Sequence, residues 1–181
     1  MTSTFRIERL IRADEQVLAG LTDVLLDCVE GGASVSFMLP LPRSRAEAFW
    51  RGVLAQAESG ERILLIASDD AGIVGTVQVV PAQPENQPHR ADISKLLVHR
   101  RARRRGIAEA LMREAETAAL ACDKTLLVLD TATPGDAERL YARLGWERCG
   151  TIPDYALWPD GRLAATALFY KRLGQRFMHL A

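Results

Sequence analysis

The stretch Ala91-Asp92-Ile93-Ser94-Lys95-Leu96-Leu97-Val98, followed by His99-Arg100-Arg101-Ala102-Arg103-Arg104-Arg105-Gly106-Ile107-Ala108, carries a strand into a basic, glycine-containing turn that opens a helix. Such a junction binds phosphate. The first turn of a helix leaves backbone N–H groups unpaired, and the macrodipole places roughly half a positive charge there. A pyrophosphate is stabilised at that end. Gly106 lets a ligand approach the backbone, and the preceding arginines can add charge-assisted hydrogen bonds, although spacing alone does not say which of the five point inward. No GxxxxGK run and no GxGxxG fingerprint is present, so nucleoside triphosphates and dinucleotides are disfavoured. A second chemical feature is Asp130, which ends the apolar run Thr125 to Leu129. The carboxyl ends of buried strands are where ligands of open sheets collect; the plainer reading of Asp130 is a turn cap.

These residues need a frame. Phe5 to Leu10 alternates as a strand, and Asp14 caps a helix whose Val17, Leu18, Leu21, Val24, Leu25 and Cys28 share one face before Gly31-Gly32 ends it. Ser44 and Glu47 have capping-box spacing and open a second helix through Phe49, Trp50, Val53 and Leu54, ending near Ser59-Gly60. Ile63 to Ala67 and Ile73 to Val80 flank a turn and predict a hairpin. The proline-rich Pro81 to Pro88 predicts a loop before the strand Arg90 to Val98, and an amphipathic helix follows from about Gly106 to Ala121. Thr125 to Leu129 reads as a strand buried on both faces, then a short helix spans Asp136 to Leu144 and stops at Gly145. Trp146 to Ile152 and Ala165 to Tyr170 are the last strands, separated by the turn-rich Pro153 to Gly161. The predicted order is β, α, α, β, β, β, α, β, α, β, β, with nothing to justify a second domain in residues 1–181.

Arg103, Gly106 and Ala108 occupy the defining positions of the pattern Gln/Arg-x-x-Gly-x-Gly/Ala, and Tyr141-Ala142-Arg143-Leu144-Gly145-Trp146 matches Tyr-x-x-Leu-Gly-aromatic downstream. In this order, with the flanking strands, the chain resembles the GNAT superfamily of N-acetyltransferases from about residue 62 to the final strand. The resemblance implies an α/β fold, a central mixed, mostly antiparallel twisted sheet flanked by helices. It also implies acetyl-CoA as co-substrate, gripped by Leu97, Val98, Arg103, Arg104, Arg105, Gly106, Ile107 and Ala108, and a primary amine as acceptor. A backbone N–H at or beside Val98 would polarise the thioester carbonyl, and Tyr141 would be the general acid for the CoA sulfur. A packing tyrosine is its plainer reading. Asp92 matches the position of a glutamate base in one branch of the family, so Asp92 and Asp130 compete for that role. Asp130 is favoured because an acid after four apolar residues is the less expected. One departure is Pro134, seven residues before Tyr141, where many members carry an asparagine that contacts pantetheine.

Within the superfamily, Gly31 to Met38, Leu129-Asp130-Thr131 and Pro159 to Leu163 resemble the tabtoxin-resistance-protein type. That implies a small amino-acid-like amine, such as a toxin or antibiotic; peptide amines and polyamines are alternatives. An acyl-CoA-binding sensor or partner module without catalysis is the reading from another class.

Composition limits the rest. Lys+Arg and Asp+Glu both total 23, so no global field favours nucleic acid or anionic lipid. The run His99 to Arg105 would permit a nucleic-acid patch, but it is one segment without interleaved aromatics. Cys28, Cys122 and Cys149 show no CxxC spacing and are expected as reduced, buried thiols of a cytoplasmic protein. His89, His99 and His179 lack metal-ligand spacing, so no metal is expected. The amino terminus lacks a signal pattern, no run spans a bilayer, and monomer and homodimer both remain open. Trp50, Trp146 and Trp158 are expected to pack, with Trp158 placed in a loop that can meet substrate.

Overall fold

The computed structural model describes residues 5–174, so His179 lies outside the described residues. The chain forms β1 (Arg6–Leu10), α1 (Glu15–Glu30), α2 (Arg43–Glu58), β2 (Ile63–Asp69), β3 (Gly72–Pro81), β4 (Arg90–Val98), α3 (Ile107–Leu120), β5 (Leu126–Thr133), α4 (Asp136–Arg143), β6 (Glu147–Leu157) and β7 (Leu163–Arg172). This is the predicted order, with a short 3-10 turn at Arg100–Ala102 added before α3.

Local chemistry explains most boundaries. Asp14 caps α1 by accepting a hydrogen bond from the Val17 N–H at 2.8 Å. The capping box expected at Ser44 and Glu47 is not formed: α2 begins at Arg43 behind Pro42, with no side-chain cap. Proline just before the first turn presets the chain direction and leaves no N–H of its own to satisfy. The strand expected to stop at Ile152 runs on through Pro153 to Leu157. Proline is tolerated there because β6 is an edge strand and its register with β7 breaks between Ile152 and Ala156.

The seven strands lie in the order β1-β2-β3-β4-β5-β7-β6. Every neighbouring pair is antiparallel except β4 and β5. Alternation along the strands divides the core in two. Val77, Leu111, Met112, Leu127, Leu129 and Phe169 pack with α3 on one face, while Leu21, Leu25, Trp50, Leu64, Ile66 and Leu97 pack with α1 and α2 on the other. Each large side chain so buried contributes about 1.5–3 kcal/mol.

Thr125 to Leu129 is not buried on both faces as expected. Leu127 and Leu129 are buried, whereas Leu126 and Val128 are half-buried and the strand continues past Asp130 to Thr133 along β7. α1 and α2 pack mainly against β2, β3 and β4, so the face of β5 that carries Leu126 and Val128 lacks a covering layer. β4 and β5 pair only over Arg90–Asp92 and Leu126–Val128, and then separate. The cysteines also differ from expectation, since Cys28 is buried but Cys122 and Cys149 are exposed.

Candidate active site

The opening between β4 and β5 begins with a bulge. Thr76 of β3 faces Leu97 and Gln78 faces Ser94, so Lys95 and Leu96 together stand opposite Val77. Lys95 takes φ 52° to do this. An extra residue kinks the strand that carries it, and β4 turns away from β5. The His99 N–H donates to the Val74 carbonyl of β3 at 2.8 Å. Successive strand amides point to opposite edges, so the Val98 N–H faces the opening. The Val98 carbonyl also avoids β3, accepting from Arg103 Nε at 3.3 Å and Cys28 Sγ at 3.5 Å.

The result is a cleft of about 990 Å³. At one end lies the start of α3, with Gly106 at φ 79° and no protein atom within 4 Å of where its Cβ would stand. Leu97, Val98, Ile107 and Ala108 line the same wall. Open space in front of unpaired helix amides fits a diphosphate. The residues present therefore suit the pyrophosphate arm of CoA, which when bound supplies an activated acetyl thioester.

The arginines divide. Arg103 and Arg104 line the cleft, and Arg104 takes φ 61° and, among the described residues, forms no ion pair. Arg105, expected among the coenzyme contacts, instead directs its guanidinium to Asp69 at 2.9 Å, where Arg101 also binds. Arg100 donates to Asp27 and pairs with Glu30. Three of the five arginines are thus paired within the fold and tether the turn to the β2–β3 hairpin and to α1.

Asp69 anchors that tether. Its side chain is 9% exposed, and hydrogen bonds from Arg101, with Arg105 and the Ala71 N–H behind them, outweigh desolvation and hold its carboxyl at about 2. A depressed carboxyl stabilises the fold above its unfolded pKa near ~4, and that stability is lost as pH falls toward about 2. Asp69→Asn is expected to cost roughly 1–2 kcal/mol at neutral pH, after allowance for solvent screening. Urea titrations from pH 7 downward check this: the gap between wild type and variant should close between about pH 4 and pH 2.

Tyr141 reaches the cleft from α4, 6% exposed, with its ring 5.6 Å from Phe169 and 6.1 Å from Trp146. Burial, with a smaller contribution from the Asp130 charge, raises its phenol far above the ordinary value. It therefore keeps its proton at neutral pH. Asp130 lines the cleft on β5. Leu127 and Leu129 face α3, so alternation turns Asp130 to the face that carries α1 and α2. The side chain of Asp92, the other base candidate, is 46% exposed, pairs with Arg90 at 3.0 Å and is not part of the cleft wall. The parallel β4–β5 contact at Asp92 closes the sheet before the opening begins.

The sequence reading gives no individual role to several cleft residues. Lys95 carries no motif signal and stands at the bulge with φ 52°. Ser36, at φ 76°, lies in the Gly31 to Met38 segment that the resemblance marks only as substrate-side. Arg143 lines the cleft from a variable position of the tyrosine motif. Trp158 does lie in the wall, while Trp50 and Trp146 are buried. The α1–α2 loop is joined to the β6–β7 end by Ser34 Oγ donating to the Leu157 carbonyl at 2.9 Å and the Leu39 N–H donating to the Pro159 carbonyl at 3.0 Å. Among the described residues no cluster of three metal-ligating side chains occurs, and no helix is long and apolar enough to cross a membrane.

The model of the GNAT acetyltransferase family matches residues 33–146, and the chain belongs to that family. An uncharacterized N-acetyltransferase of Azospirillum brasilense, from a hisH-hisA intergenic region, is 30% identical over 163 residues, covering 85% of this chain and 95% of that protein. Among solved structures, an N-acetyltransferase of Staphylococcus aureus Mu50 superposes with TM-score 0.79 at 17% identity, covering 95% of this chain and all of that one. The Salmonella typhimurium protein yncA, solved with acetyl-CoA as its cofactor, superposes with TM-score 0.76 at 18% identity over 98% of this chain and 96% of its own. The fold is the family's mixed, mostly antiparallel sheet, and N-acetyl transfer is the family's activity.

Proposed function

We propose that the chain, as a single cytoplasmic domain, transfers the acetyl group of acetyl-CoA to the primary amine of a small amino-acid-like molecule, such as a toxin or antibiotic. The carrying observation is the opening between β4 and β5, which has the Val98 N–H on one rim, Asp130 on the other and the Gly106 helix start at its end. Gly106, Ile107 and Ala108 hold the diphosphate through main-chain amides, helped by Arg103 and Arg104. The Val98 N–H polarises the thioester carbonyl oxygen, where preorganised donors have their largest effect. Asp130 accepts the proton of the attacking amine, and Tyr141 holds a proton for the departing sulfur. The tabtoxin-resistance likeness is supported by where its variable segments fall: Gly31 to Met38 and the β6–β7 end are hydrogen-bonded together as the acceptor-side wall.

The reading is tested by titrating acetyl-CoA calorimetrically and following CoA release with a panel of primary amines. Binding without release from any amine would favour the silent sensor. For the base, Asp130→Asn should lower kcat/KM by about 10²–10³-fold and change the shape of its pH profile. Asp92→Asn should leave both unchanged. Wild-type profiles in both variants would mean that neither carboxylate takes the proton.

A further inference from the structure

Lys95 is the cleft's one lysine, and its surroundings differ from those of the chain's other two. Lys171 is matched by the Glu116 carboxylate at 2.7 Å and the Leu144 carbonyl at 2.6 Å, and Lys124 donates to the Pro88 carbonyl. Lys95 Nζ has one polar partner, the neutral Ser36 hydroxyl at 3.2 Å, and stands 5.9 Å from the Phe49 ring centroid. Among the described residues it forms no ion pair. Desolvation lowers its affinity for a proton, opposed by the Asp130 charge. A partly desolvated cation that makes no salt bridge, with Asp130 as its nearby but unbonded negative charge, is stabilised by any anion that reaches it.

Its position tells what would. A lysine at φ 52° is a strained choice that persists only where the surroundings require it. The bulge turns Lys95 toward Ser36 and Phe49, on the α1–α2 side. The arginines and helix start that suit phosphate lie at the other end, so Lys95 belongs to the acceptor half of the cleft. Asp130 shares that half and is close enough for its charge to act on Lys95. The two present opposite charges to one small space.

We infer that Lys95 is a specificity-determining residue that binds an anionic group of the acceptor, so that the substrate is a zwitterion with its amine toward Asp130 and its carboxylate, or an equivalent oxyanion, on Lys95 and Ser36. This rests on the acetyltransferase reading above and narrows its substrate class, setting polyamines aside. The Phe49 ring, 5.9 Å from the ammonium, adds a cation–π attraction on that side.

The test uses ω-amino acids from glycine to aminohexanoate, each beside its carboxamide, with wild type, Lys95→Met and Lys95→Glu. Wild type should favour the acid of the best pair by about 10–100-fold in kcat/KM, the range of one charge-assisted contact. Lys95→Met should accept acid and amide alike with acetyl-CoA affinity unchanged, and Lys95→Glu should shift preference to diamines. Calorimetric binding of the same ligands to the CoA complex separates this proposal from the one it rests on. Carboxylate-dependent binding lost in Lys95→Met supports the anchor even where no acetyl transfer occurs. Equal binding of acids and amides to wild type, or a preference untouched by Lys95→Met, overturns it.

Discussion

Tyr141→Phe is expected to lower kcat by about 10²–10³-fold while acetyl-CoA affinity and thermal stability stay near wild type. Three observations set this pattern. The ring is what packs: it meets Phe169 and Trp146 at 5.6 and 6.1 Å, and phenylalanine keeps both contacts. The hydroxyl is what the variant removes, and it sits at the cleft in a setting that keeps it protonated. The residues proposed to hold the diphosphate lie on another element, the start of α3 and the turn before it, not on α4. Single-turnover kinetics with saturating acetyl-CoA, beside a calorimetric titration, read the two quantities separately. An unchanged kcat removes Tyr141 from the reaction; an equal loss of affinity and turnover would instead make it a coenzyme contact.

Legibility in the sequence followed the range of the interaction. The strand-to-helix turn at Gly106 is a local signal set within a few residues and could be read from spacing, whereas Tyr141 was marked only by the resemblance to the GNAT superfamily. The element order was readable for the same reason, because periodicity and turn residues are local signals. What could not be read depends on partners distant in sequence. Asp69, in a hairpin with no motif, decides that Arg101 and Arg105 turn away from the cleft. The separation of β4 from β5 follows a bulge whose only sequence trace is an ordinary lysine, and it leaves Asp130 exposed at the opening. Asp92 entered as a base candidate through the family resemblance and Asp130 through its place after an apolar run, with Asp130 favoured. The parallel register, which closes the sheet at Asp92 and releases it before Asp130, distinguishes them.

Gly106→Ala is expected to weaken acetyl-CoA binding by about 10–100-fold, the equivalent of one lost hydrogen bond to a charged group. Gly106 stands at φ 79°, a left-handed conformation that costs an alanine about 1–2 kcal/mol. No protein atom lies within 4 Å of the added methyl, so the fold itself offers no clash. Two effects remain, strain in the backbone and a methyl projecting into the space assigned to the diphosphate. Gly60, after α2, separates them. It has φ 81° and equally open surroundings, but no part in the cleft. Gly60→Ala should therefore lose a similar amount of stability in urea while acetyl-CoA binds as before. If both variants are destabilised alike and both retain full affinity, the helix start does not hold the coenzyme, because the methyl would occupy space that no ligand uses. If only Gly106→Ala loses affinity, the loss comes from the amides and the open volume before α3, since Gly60→Ala carries the same backbone strain.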